Sequence, residues 1–247
     1  MKEEIIYGLN PVVEALRGAR RAFELFIAAS GTDKRLEKLL KLAKDKGVPV
    51  RSREKADISR LCGTDHHQGV ALRVEGFSYS ELDDILDRCR ASGEKGLLLV
   101  LDGVQDPHNL GAIIRSAACA GAHGVLIPKD RAARITPTVE KSSAGAVETV
   151  PVAQVVNVAQ TLDELKKEGF WIFGAADSAP DVLFRQDFTG PVALVIGSEG
   201  EGIRPLVRKK CDGLFSIPMR GGVSSLNASV AAGVALFEVV RQRMEKG

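Results

Sequence analysis

Apolar and polar positions alternate along this chain with two periods, and the period switches from segment to segment. Short strand-like runs, "EIIYG", "FELFIAA", "VPVRS" and "GVALRV", punctuate the first 74 residues. Stretches of helical period lie between them. "NPVVEALRG" reads as a short helix with Asn10 as N-cap, Pro11 at its first position and Gly18 just past its end. "DKRLEKLLKLAKDKG" is the clearest amphipathic helix: Leu36, Leu39, Leu40 and Ala43 share one face, Lys and Arg fill the other, and Gly47 stops it. "EKADISRLCG" is helical between the last two strands. Together these segments predict an α/β unit over residues 1–75.

The texture changes at "EGFSYSELDDILDRCRASGEKG", which is acidic in its middle and rich in Gly, Ser and Lys at its end. Residues 76–95 are expected to form a linker with a helix inside it, from Ser80 to Arg90. "LLLVLDGV" follows, apolar throughout, as expected of a strand buried on both faces of a parallel sheet. Strands "GVLIP", "VPVAQV", "WIFGAAD", "PVALVIG" and "GLFSIPM" then alternate with helical stretches, ending in "SLNASVAAGVALFEVV". Repeated βα units make a parallel sheet covered by helices, so residues 96–247 are expected to form a second α/β domain.

Composition narrows the classes without choosing among them. Apolar residues make up 45% of the 247 and charged residues 27%, as in ordinary globular proteins. No apolar run reaches the ~18 residues of a membrane span. The start, "MKEEIIYGLNPVVEAL", carries early acids and a proline, unlike a signal peptide. Four scattered cysteines form no CxxC pair and the four histidines no HExxH spacing, so no metal is expected. A cytoplasmic protein with reduced thiols is the plain reading. Net charge is +2, yet residues 1–74 carry +5 and the remainder −3. A basic front on a mildly acidic body fits a polyanion-binding module or merely a solvated surface.

Ligands of doubly wound sheets sit at the carboxyl ends of strands, and polar residues gather at three such places. In "LDGVQDPHNLGAIIRSA", Asn109 is a natural N-cap, and Arg115 is the only charge in a helix of apolar and small residues. A charge there either snorkels, pairs with an acid or serves a site. In "ALVIGSEGEGIR", a buried strand empties into a run from Gly197 to Gly202 containing Glu199; it is neither a P-loop nor GxGxxG. In "FSIPMRGGVSSLNAS", a strand ends near Ile217, a glycine turn follows, and Ser225, Leu226 and Asn227 open a helix. Three strand ends delivering glycines and polar groups to one sheet edge point to a shared pocket.

These motifs, "DPHNLGAIIRSA", "IGSEGEGI" and "IPMRGGVSSLNASVAAG", resemble in order and spacing those of the SpoU (TrmH) branch of SPOUT RNA 2′-O-methyltransferases. The N-terminal "IYGLNPVVEAL" and "HQGVALRV" resemble the L30-like RNA substrate-binding domain of its ribosomal RNA members. The resemblance implies a trefoil-knotted α/β methyltransferase domain over 96–247, S-adenosylmethionine as cofactor, a homodimer, and 2′-O-methylation of a ribose, with a guanosine of 23S rRNA as the expected target. It implies cofactor contacts at Gly197, Ile217 and Leu226, largely through backbone. It implies a catalytic set of Asn109, Arg115, Glu199, Ser225 and Asn227. Arg115 would act as base or as electrostatic stabiliser, with Glu199 pairing with it or steadying the loop. A branched side chain at Gly197 is expected to fill the space the adenine needs.

His108 and Ser224 flank motif positions, and His66, His67, Arg17, Arg20 and Arg21 are candidate RNA contacts. No membrane or DNA partner is expected. A tRNA methyltransferase of the same branch, a non-catalytic RNA-binding assembly factor and a Rossmann oxidoreductase are the rival readings. The last lacks its glycine motif.

Overall fold

The alternation at the front of the chain folds as β1 (Glu3–Tyr7), α1 (Leu9–Arg17), β2 (Ala22–Ala28), α2 (Lys34–Asp45), β3 (Val50–Arg53), α3 (Lys55–Cys62) and β4 (Val70–Glu75). The structure, a computed structural model, describes residues 3–29, 34–222 and 225–246. The four strands order as β1-β4-β2-β3, with β4 antiparallel to β1 and β2, and β3 parallel to β2. Period-2 side chains feed two faces. Ile6, Leu25 and Leu72 pack with Val12 and Leu16 of α1 and Leu39 and Ala43 of α2. Tyr7, Phe26 and Ala71 pack with Ile58 of α3 on the other face.

Asn10 is not the cap of α1. The helix starts at Leu9 behind Gly8, whose φ of 95° no branched residue tolerates, and the Leu9 N–H donates to Gln68 Oε1 at 2.9 Å. That cap comes from 59 residues away, where no local pattern reports it.

Residues Arg134–Thr149 cluster with this first unit, although they lie in sequence between two strands of the second. They form α6 (Pro137–Ser142), capped by the Thr136 hydroxyl, and a 3-10 turn at Ala146–Glu148. Arg20 is buried against them. Its Nη2 donates to Glu140 Oε1 at 2.7 Å and to Glu148, Glu4 lies 3.9 Å away, and the Phe77 ring lies 5.7 Å from its guanidinium. The guanidinium therefore serves the interior rather than an RNA phosphate.

One cation among three carboxylates leaves a surplus of negative charge. Burial pushes Glu140 up to about 7 against the pull of Arg20, and its Oε2 is buried without a partner. An acid raised in the fold binds its proton more tightly there than in the unfolded chain. That stability is fully present below the ordinary carboxylate range and is lost as pH rises through 7. Glu140→Gln mimics the protonated form. Wild type is expected to lose on the order of 3 kcal/mol between pH 4.5 and 8 from this group, and the variant to lose none of it. Thermal unfolding of both across that range checks it; parallel pH profiles would contradict the assignment.

The second unit, Tyr79–Ala133 with Val150–Gly247, holds a six-stranded, wholly parallel sheet in the order β10-β8-β9-β5-β6-β7. The strands are β5 (Leu97–Asp102), β6 (Gly124–Pro128), β7 (Val152–Val155), β8 (Trp171–Ala175), β9 (Val192–Gly197) and β10 (Gly213–Phe215). Every residue of β5, β6 and β9 is buried, as the unbroken apolar runs require. Around the sheet lie α4 (Leu82–Ser92), α5 (Pro107–Cys119), α7 (Val158–Lys167), α8 (Pro205–Lys210) and α9 (Ala228–Lys246).

The segment expected as a linker carries α4, which buries Ile85, Leu86 and Cys89 in the same core as Leu98, Leu126 and Leu162. A Cβ on Gly124 would meet Ile85, so that glycine lets the helix seat on β6. The strand expected in "GLFSIPM" ends at Phe215, and Ile217 and Met219 lie beyond it. Among the described residues no helix is long and apolar enough to cross a membrane.

Candidate active site

A parallel sheet delivers all its strand ends to one edge, and here that edge carries a cavity of about 720 Å³. Three strand ends with their loops, one helix start and Arg208 of α8 line it: Ala175 to Ser178 at the end of β8, Ile196 to Ile203 at the end of β9, residues between Phe215 and Met219 at the end of β10, and residues between Ser225 and Ala231 at the start of α9. Gly197, Glu199, Ile217, Ser225, Leu226 and Asn227, all expected at a site, are among the lining residues. Val223 and Ser224 lie outside the described residues.

The glycine loop is closed on itself. Ser198 and Gly202 exchange backbone hydrogen bonds of 3.1 and 3.0 Å, and Gly200 and Gly202 take the left-handed φ values 89° and 66° that favour glycine. A Cβ on Gly197 would come inside 3.0 Å of the Gly202 carbonyl and the Ile203 nitrogen. The glycine is thus needed by the loop's own backbone, a stronger reason than the room for an adenine that the motif suggested.

Asp102, the last residue of β5, anchors the loop's exit, and sequence reasoning missed it. Its carboxylate is buried and accepts from the Arg204 backbone N–H at 2.8 Å and from Arg204 Nε at 2.7 Å. The two residues are 102 apart.

Asn109 sits at the third position of α5, not at its cap. Asp106 is the cap, accepting from the His108 N–H at 2.9 Å, and Pro107 opens the helix as its ring prefers. The Asn109 amide turns instead to the pocket wall. Its Nδ2 donates to Glu199 Oε1 at 2.5 Å, and its Oδ1 accepts from Asn227 Nδ2 at 3.0 Å. Asn227 Nδ2 also donates to Glu199 Oε1 at 2.8 Å. Asn227 Oδ1 meanwhile caps α9, accepting from the Ser229 N–H at 2.8 Å. The polar helix mouth does two jobs with one side chain: the carbonyl caps, and the amide closes a three-residue ring with Asn109 and Glu199. Glu199 Oε2 makes no hydrogen bond to the described residues.

Arg115 is not brought to this ring. Six residues past Asn109, it lies about 120° round the helix. It is exposed, does not line the cavity, and has no hydrogen bond or ion pair to the described residues, so the expected pair with Glu199 is absent within this chain. His108 is exposed beside the cap. His67 is buried; its Nδ1 accepts from the Gly69 N–H at 3.0 Å and its Nε2 faces Ser59 Oγ at 3.0 Å, which closes a turn, and burial holds it below the usual histidine range. The His66 carbonyl accepts from Lys141 Nζ at 2.8 Å. Among the described residues no group of three or more His, Cys, Asp or Glu could hold a metal ion.

Residues 96–237 match the family model described as SpoU rRNA methylase. The chain belongs to the SpoU rRNA methylase family. Residues 5–80 match a second model, RNA 2′-O ribose methyltransferase substrate binding. The chain is 49% identical over 246 residues to the 23S rRNA (guanosine-2′-O-)-methyltransferase RlmB of Ralstonia nicotianae, covering 98% of this chain and 97% of that one. It is 42% identical to the putative TrmH family tRNA/rRNA methyltransferase YacO of Bacillus subtilis, over 100% and 98% of the two chains. In three dimensions it is similar to the SpoU methyltransferase AviRb of Streptomyces viridochromogenes in complex with AdoMet, with a TM-score of 0.82, 28% identity, and coverage of 98% and 91%. SpoU membership over both modules makes the protein an S-adenosylmethionine-dependent RNA methyltransferase, and the resemblance drawn from the three motifs holds.

Proposed function

We infer that the protein transfers a methyl group from S-adenosylmethionine to the ribose 2′-hydroxyl of a guanosine in 23S rRNA. One observation carries the reading: the second and third motif loops line one cavity, and Asn109 of the first motif is hydrogen-bonded to Glu199 and Asn227 in its wall. The full-length likeness to a 23S rRNA guanosine-2′-O-methyltransferase supports the target.

The cavity suits the cofactor. Its volume lies in the ~300–1,000 Å³ range of small-molecule sites. Ile196, Phe215, Ile217 and Leu226 offer apolar surface for an adenine, and glycine backbone offers close hydrogen-bonding groups. Asp177, Glu199 and Glu201 offer negative charge to a sulfonium and an ammonium. When bound, S-adenosylmethionine supplies an electrophilic methyl on sulfur.

Gly197, Ile217 and Leu226 hold the cofactor through their backbones. The ring orients the target ribose, since reacting partners held in line lose most of their entropic barrier. Ser225, which lines the pocket, adds a hydroxyl to that set. Glu199 Oε2, which has no hydrogen bond to the described residues, takes the hydroxyl's proton. The guanidinium of Arg115 acts as an electrostatic stabiliser of the oxygen that becomes negative.

Arg115 reaches a pocket in a homodimer. α5 packs against α9, and α9 exposes Val230, Phe237 and Met244 at 49%, 50% and 78%, seven residues apart on one side of the helix. A second copy covers that stripe, and the arginine of one copy serves the pocket of the other. The C-terminal segment forms a trefoil knot, as the motif resemblance implies. The basic first unit grips RNA through phosphates. A cytoplasmic location fits an rRNA substrate and four free cysteines. Methyl transfer to unmodified 23S rRNA, with the modified nucleoside identified after digestion, tests the reading; transfer to tRNA alone would replace the target and keep the chemistry.

A further inference from the structure

The charges lining the cavity are uneven. Asp177, Glu199 and Glu201 are acids, and Arg208 is the one cation among the described lining residues. S-adenosylmethionine presents a sulfonium, an ammonium and a single carboxylate. The acids answer the first two groups, and the third calls for a cationic donor.

Arg208 lies on α8, next to Val207, whose burial in the core seats that short helix. Its Nη2 donates to Ser178 Oγ at 3.2 Å, which ties the guanidinium to the loop after β8. Nε and Nη1 make no hydrogen bond, and the group no ion pair, to the described residues. Of the neighbouring cations, Arg204 is committed to Asp102 and Lys210 to Asp163 at 2.6 Å, and Lys209 does not line the cavity. A guanidinium left with most of its donors unengaged, at a pocket whose ligand carries one carboxylate, is a planar fork matched to that group.

We propose that Arg208 binds the carboxylate of the cofactor's methionine moiety, with Ser178 orienting it. The inference rests on S-adenosylmethionine as cofactor and adds the residue that reads the amino-acid end. It explains how a pocket rich in acids accepts an anionic group at all.

Calorimetry with two ligands tests it: S-adenosylhomocysteine, and its decarboxylated counterpart S-adenosyl-3-thiopropylamine, which lacks only the carboxylate. Arg208→Gln is expected to weaken S-adenosylhomocysteine about tenfold, the scale of one partly solvated charge-assisted pair, and to leave the decarboxylated ligand unchanged. Ser178→Ala is expected to show a smaller loss with the same selectivity. Equal losses for both ligands, or no loss for either, would overturn the proposal. So would an unchanged S-adenosylhomocysteine affinity with a raised KM for RNA, which would give the cation to an RNA phosphate. Failure of the wild type to bind S-adenosylhomocysteine would instead sink the cofactor reading itself.

Discussion

Arg115→Ala is expected to lower methyl transfer by at least about a hundredfold, the scale of losing one preorganised stabiliser of transition-state charge. Fold and cofactor affinity should not move. Arg115 is exposed on α5, outside the cavity, and holds no ion pair with the described residues. Removing such a side chain costs within about 0.5 kcal/mol of stability. A large kinetic loss with unchanged Tm and unchanged S-adenosylhomocysteine binding therefore reads out chemistry alone. Normal turnover would remove Arg115 from the mechanism. The proposed homodimer gives a sharper arm. Mixing Arg115→Ala with Asn227→Ala, each inactive, should restore roughly a quarter of wild-type activity, because half of randomly paired twofold dimers regain one complete site. No recovery in mixed dimers would mean that the arginine does not serve the partner's pocket.

Gly197→Ala should have the second large effect. A single methyl group at the end of β9 would press into the backbone of Gly202 and Ile203, which cannot swing aside as a flexible side chain does. The Ser198–Gly202 pairing and the Arg204–Asp102 anchor hold that backbone in place from both ends. The loop must open, with it the pocket wall that carries Glu199. Cofactor affinity is expected to fall more than a hundredfold and stability by roughly 1–3 kcal/mol. Gly200→Ala is the control. Nothing lies within 4 Å of a Cβ there, so only the left-handed φ is strained, at about 1–2 kcal/mol. Calorimetry that found Gly197→Ala binding as tightly as Gly200→Ala would contradict the loop's role.

Much of this was legible because it is written locally. Apolar runs announce buried parallel strands, and "RLEKLLKLAK" announces α2 by its period. The pocket was legible in part because parallel strands end at one edge, so the second and third motifs had to meet there; the first was expected to line it too, and reaches it only through the hydrogen bonds of Asn109. What escaped was long-range. The Leu9 cap comes from Gln68, the partner of Asp102 is Arg204, and the partners of Arg20 are Glu140 and Glu148. No spacing rule couples residues so distant. Asn109 shows a subtler failure: Asp106 and Asn109 are both cap-forming residues, and Pro107 between them already favoured the earlier one. The ring of Asn109, Glu199 and Asn227 is what the freed amide does instead. Arg115 was singled out by its type, but its position relative to the pocket depends on a surface the sequence does not annotate as buried or bare.

The most direct measurement offers labelled S-adenosylmethionine to separate pools of unmodified 23S rRNA and tRNA, followed by digestion to nucleosides. The expected result is label in 2′-O-methylguanosine from 23S rRNA, lost with Arg115→Ala and with Gly197→Ala. Absence of label from 23S rRNA, with the cofactor still bound by the protein, would contradict the account.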